Sequence, residues 1–227
     1  MQYKIQGDTL PVVICQLEKG ESMITEKGSM AWMKNMEMKT NAGGGIGGIF
    51  GRAFTGESIF QNIYTSKSDD GMIAFASSFP GEIRDFFIRP DHSIILQKTA
   101  FLASESSINL SVHFQKKIGS GLFGGEGFIM QKVSGNGTVF AEFDGSIVEY
   151  DLKNGETMLV DTGYVAAMDE SVKMDIEMIK GVKNVLFGGE GLFNTKLTGP
   201  GKVWLQTMPL SKVAQGIIPF IPRTNNS

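Results

Sequence analysis

Three glutamates recur at one position of a glycine-rich motif and are the first candidates for chemistry. "LFGGEG" occurs at residues 122–127 and again at 186–191, and a looser relative, Gly56-Glu57-Ser58, stands upstream. The glutamates are Glu57, Glu126 and Glu190. Three carboxylates brought together could hold a hard cation through oxygen ligands. The competing reading is structural: each carboxylate accepts backbone N–H bonds and pins its own glycine bend. A repeated unit repeats its pins, so the structural reading is preferred and no metal site is assigned.

The glycines invite a phosphate-loop reading. Such a loop needs glycine backbone leading into a helix N-terminus, with a lysine for the phosphate charge. No G-x-x-x-x-G-K-[ST] pattern occurs. G-x-G-x-x-G does occur, at Gly43-Gly45-Gly48 and Gly119-Gly121-Gly124, but strand-like sequence follows both. We read these glycines as bends where φ turns positive or two backbones approach closely. No cofactor is expected.

The remaining reactive side chains are few. His92 lies in the turn "RPDHS" and His113 in the strand-like "LSVHF". Nothing places either beside a serine and an aspartate, and no G-x-S-x-G elbow is present, so no catalytic residue is assigned. Cys15, the single cysteine, follows the apolar "PVVI" and reads as inert core. Met30, Met33, Met36 and Met38 suggest copper, but with no histidine or cysteine beside them packing is the simpler role.

These residues sit on a unit that repeats. After each LFGGEG comes an apolar stretch, a polar-glycine turn (SGNG, TGPG) and a second strand-like stretch, which is a hairpin. The other half of the unit recurs as well. "LEKGESMITEKGSMAWM" starts at Leu17, "IRPDHSIILQKTAFLAS" at Ile88 and "LKNGETMLVDTGYVAAM" at Leu152, spacings of 71 and 64 residues. Alternating apolar residues such as Val139, Ala141 and Phe143 mark strands. The 29 glycines among 227 residues, against an average near 7%, suit many tight turns. One short helix is expected at the C-terminus, capped by Ser211, running through Val213 and Ala214 and closed by Gly216.

A hairpin unit cannot bury its apolar face alone. The expectation is therefore one all-β domain over 1–227, a β-sandwich or barrel. It would contain three repeats, about 1–85, 86–150 and 151–227, in pseudo-threefold symmetry. A net charge of −3 offers no pull toward nucleic acid or anionic membrane. No run approaches the roughly 18 apolar residues of a membrane span, the N-terminus carries no secretory signal, and one cysteine suits a reducing compartment. The expected location is cytoplasmic.

"GGIFGRAFTGES", "LFGGEG" with its hairpin, "SGNGTVFAEFDG" and the closing "PFIP" together resemble a family over essentially the whole chain. It includes bacterial proteins of unknown function related to the mitochondrial altered-inheritance, or mitochondrial biogenesis, protein. The resemblance implies an all-β fold similar to the tryptophan RNA-binding attenuation protein (TRAP-like), with tandem copies in one chain. It carries no activity or catalytic residue to transfer. In eukaryotes the family is linked to mitochondrial membrane organisation. The leading functional expectation is a non-enzymatic binding or scaffold protein that presents a β surface to a protein partner, with homo-oligomerisation open. The alternatives are a small-molecule or RNA-binding module and an unrecognised enzyme.

The pinning role of the glutamates is testable. Changing Glu57, Glu126 and Glu190 together to Gln should lower the melting temperature equally with and without added calcium or magnesium. A loss seen only in the presence of metal would make them a cation site instead.

Overall fold

A computed structural model of the chain describes residues 1–26, 28–41, 61–116, 127–178, 193–217 and 220–221. The first stretch of strands is β1 (Gln2–Gln6), β2 (Val12–Leu17), β3 (Ser22–Thr25), β4 (Met30–Lys34), β5 (Met36–Asn41), β6 (Gln61–Ser66) and β7 (Gly71–Ala76). The second is β8 (Gly81–Ile88), β9 (Ile94–Gln97), β10 (Phe101–Glu105), β11 (Ile108–Lys116), β12 (Phe128–Gly135) and β13 (Gly137–Asp144). The third is β14 (Ile147–Leu152), β15 (Thr157–Asp161), β16 (Val165–Asp169), β17 (Lys173–Met178), β18 (Phe193–Thr198) and β19 (Gly201–Gln206), followed by helix α1 (Leu210–Ile217). Among the described residues the fold is all-β with one short C-terminal α-helix.

The strands form four sheets, ordered β1-β2-β7-β4, β5-β6-β3-β10-β13-β8, β11-β12-β9-β16-β19-β14 and β15-β18-β17. One connectivity is written three times in this order. A ribbon β2-β7-β4 has the counterparts β8-β13-β10 and β14-β19-β16. A ribbon β5-β6-β3 has the counterparts β11-β12-β9 and β17-β18-β15. Successive copies are stitched by ladders: β3 pairs with β10 and β9 pairs with β16. Each first ribbon carries a register shift at one place, between Met30 and Trp32, Phe101 and Ala103, and Val165 and Ala167. Such bulges bend a strand and re-aim its side chains.

Period-two alternation explains which residues turn inward. Along β2, Val13, Cys15 and Leu17 are buried while Gln16 is exposed. The described residues group into two compact units. One comprises Met1–Ser93, Lys98–Ser111 and Lys132–Phe143, the other Ile94–Gln97, Val112–Gln131 and Asp144–Ser227. The limits fall inside copies rather than between them, because the stitching ladders join strands of successive copies. The first unit buries Val13, Leu17, Tyr64, Ile73, Phe75 and Phe140 in one cluster. The second buries Ile95, Phe128, Met168, Leu197 and Val203.

The helix differs from its sequence reading. Ser211 and Gly216 both lie inside it rather than at its ends. Its first N–H, on Leu210, is taken instead by Asp144 Oδ2 at 3.2 Å, from the end of β13. A carboxylate brought by a strand does the capping that a serine does locally. None of the helix is fully buried; Lys212 anchors it to Asp161 at 3.0 Å.

The hairpins expected after each LFGGEG do not form: β12 and β13, and β18 and β19, are each joined by a short turn but pair in different sheets. The turn before β19 fixes one glycine. Gly201 has φ +136°, and a Cβ there would stand 2.7 Å from Ser171 Oγ and 3.1 Å from Asp169 Cβ. Gly201→Ala should therefore cost about 1–3 kcal/mol, the scale of a residue held in a sparsely populated backbone region. Denaturant titration measures it; an unchanged midpoint would show that the turn can give.

Candidate functional site

Glu57, Glu126 and Glu190 lie outside the described residues, as do both G-x-G-x-x-G segments. Of the two LFGGEG copies only Gly127 is described, and it adopts φ +83°, a bend suited to glycine. His92 is exposed in a turn closed by reciprocal backbone bonds with Arg89 at 3.0 and 3.3 Å. His113 is exposed on β11. Cys15 is fully buried, and burial pushes its thiol up to about 12, so it is not a nucleophile at neutral pH. Among the described residues no group of three or more His, Cys, Asp or Glu side chains is placed to hold a metal ion.

Recurring carboxylates do exist, at positions the sequence reading missed. Glu105 ends β10 and accepts the Thr138 N–H at 2.6 Å. Asp169 ends β16 and accepts the Lys202 N–H at 2.8 Å. Each pins the first turn of the strand it pairs with, β13 or β19. In the first copy the same place holds Lys34, which makes an ion pair with Asp70 at 3.1 Å. The usable signal was the "SE" and "MD" that follow the apolar runs of the second and third copies, but "MK" in the first copy hides the pattern.

The exchange at Lys34 organises the end of β4. Asp70 Oδ1 accepts from Ser68 Oγ at 2.6 Å and from Asn35 Nδ2 at 2.9 Å. Asn35 sits between β4 and β5 with φ +56°, a left-handed conformation that asparagine tolerates better than most residues. The Ser68 hydroxyl first, then Lys34 and Asn35, hold the Asp70 carboxyl down at about 2. A charged clasp thus ties the β6–β7 turn to the bend that presents β4 and β5.

What the clasp presents is apolar. Trp32 is 47% exposed, Met33 40% and Met38 48%, all within two consecutive strands that are the outer strands of their sheets. Met36, between them, is buried, and Met30 packs partly against the core, so the four methionines do not converge. The aromatic has changed strands relative to the other copies. Trp32 pairs with Ala74, whereas Ala103 pairs with Phe140 and Ala167 with Trp204. One large and one small residue fill each place. In the second and third copies the large one is on the central strand and buried. In the first it is on the edge and half exposed.

The charge state of Asp70 gives a signed expectation. Its folded value lies below the ordinary carboxylate value of about 4, so its contribution is present above that pH and is lost as pH falls through about 2. Asp70→Asn should be less stable than the unaltered protein at pH 5–7. The two should converge as pH falls toward 2. A gap that does not depend on pH would deny the clasp its charge.

Residues 3–208 match the family described as Mitochondrial biogenesis AIM24. An uncharacterised protein of Streptococcus pyogenes serotype M6 is 34% identical, over 95% of this chain and 89% of that protein. The X-ray crystal structure of protein SPYM3_0169 from Streptococcus pyogenes is similar, with a TM-score of 0.77 and 28% identity, covering 97% of this chain and 99% of that one. The chain belongs to the AIM24 family.

Proposed function

We propose that the chain is a non-enzymatic binding or scaffold protein that presents a β surface to a protein partner, with β4 and β5 at its centre. The carrying observation is the exposure of Trp32, Met33 and Met38 on consecutive edge strands braced by the Asp70 clasp. Tryptophan and methionine are enriched where interfaces bury apolar surface, and tryptophan is prominent among residues that dominate binding. An edge strand adds free backbone N–H and C=O groups for main-chain pairing. A partner that pairs with the backbone and covers Trp32 uses both. The net charge of −3 supports a protein over an RNA as that partner. No helix among the described residues is long and apolar enough to cross a membrane, and the fully buried single cysteine suits work in the cytoplasm.

Capture from native lysate with immobilised chain tests this, run beside the double variant Trp32→Ser, Met33→Ser. The expected result is a protein retained by the unaltered chain and lost from the variant, with no change in melting temperature. A protein held equally by both would move the surface elsewhere. Specific stabilisation by a metabolite or an RNA in a thermal-shift panel would favour the ligand-binding alternative.

A further inference from the structure

We propose that Met33 and Met38 are redox sites on the partner surface, where a hydroperoxide oxidises their sulfurs and so releases the partner. The inference rests on the reading of β4 and β5 as that surface and names its regulation. The chain holds 13 methionines. Among the described side chains Met33, 40% exposed, and Met38, 48% exposed, are the two exposed ones, and they flank the bend at Asn35. Met23 and Met130 are fully buried, and Met36, which stands between the two along the chain, is 6% exposed. The sharpest contrast lies within the repeat. Met33 and Met168 each stand one residue after the shifted pair of their bulge, so the same residue type holds the same place in two copies. Met168 lies opposite Ile95 of β9 and is 0% exposed.

Exposure decides which sulfurs a peroxide reaches. A sulfur lone pair takes one oxygen from the hydroperoxide, the O–O bond breaks, and water or the corresponding alcohol leaves. The sulfur is oxidised by two electrons and the peroxide is reduced by two. The product is a polar sulfoxide that methionine sulfoxide reductases return to the thioether. Met33 and Met38 share their patch with the half-exposed Trp32. A partner that buries two adaptable apolar side chains would have to desolvate two strong acceptors after oxidation. Neither methionine belongs to the buried cluster of its unit, so oxidation alters the surface and spares the core. Thiol chemistry does not compete. Cys15, the single cysteine, is fully buried and its thiol is pushed up to about 12 by that burial.

Dilute hydrogen peroxide, quenched with catalase and followed by peptide mass mapping, tests the sites. Met33 and Met38 should each gain one oxygen while Met23, Met36 and Met168 gain none, with the melting temperature unchanged. The treated chain should lose the protein that the untreated chain retains from native lysate. Methionine sulfoxide reductases of both epimer specificities, with dithiothreitol, should restore it. The double variant Met33→Leu, Met38→Leu keeps apolar character and volume, and should retain that protein before and after peroxide. Oxidation of Met168 as fast as Met33 overturns the inference. So does capture that survives oxidation of both sites, or that peroxide removes equally from the leucine variant. If the double variant Trp32→Ser, Met33→Ser loses the protein and the oxidised chain keeps it, the reading of β4 and β5 stands and the redox inference fails. If the serine variant keeps the protein, or the untreated chain retains none, that reading fails and the inference with it.

Discussion

The structure depends on one constraint: a three-stranded ribbon has two edges, and each edge carries backbone donors and acceptors that must find partners. The ribbon β5-β6-β3 satisfies β3 only through β10, which belongs to the next copy. The ribbon β11-β12-β9 does the same through β16. Buried residues, most of them apolar, then gather at these seams. Ile24 and Ser104 face each other there, as do Ile95 and Met168. The ladders of one copy are thus completed by its neighbour, which is why the compact units cut across the sequence repeats.

Within that constraint the copies trade side chains without changing the backbone scheme. The bulge stands at the same place three times, and the pair beside it keeps one aromatic and one alanine. Trp32 with Ala74 fills the role of Phe140 with Ala103 by reversing it. Reversal is neutral for volume, since a large and a small residue still interdigitate. It is not neutral for exposure. Where the aromatic is on the central strand, flanking strands cover it from both sides. On β4 only β7 does. The same economy appears at the strand ends, where Glu105 and Asp169 receive a backbone N–H and Lys34 instead engages Asp70.

The all-β class and the glycine turns were legible because alternation and turn residues are local signals. The hairpins read at those turns were not hairpins: β12 and β13, like β18 and β19, are consecutive strands that pair in different sheets, and pairing is set by distant strands. Val139, Ala141 and Phe143 alternate in sequence and are buried in β13. The helix was legible in existence but not in its cap, because Asp144 reaches Leu210 across 66 positions of chain and no local pattern records that. The carboxylates that pin the strand ends escaped the sequence reading for a related reason. Glu57, Glu126 and Glu190 share an obvious motif, whereas Glu105 and Asp169 share only a strand end and a bond to a distant N–H. Long-range hydrogen bonds leave no spacing to read.

Exposure is the property least written in residue type. Ile24, Ile95 and Leu159 are chemically near-equivalent and occupy one position of the unit, yet two are buried and one is the most exposed of the three by far. Apolar character alone would place all three in a core. What separates them is the strand beside them: β10 lies against β3 and β16 against β9, and among the described residues no strand is paired with that side of β15. Burial at one position of the unit is thus decided by a strand from another copy and not by the residue that occupies it, which is why a repeat read from residue types alone does not tell which of its apolar positions are covered.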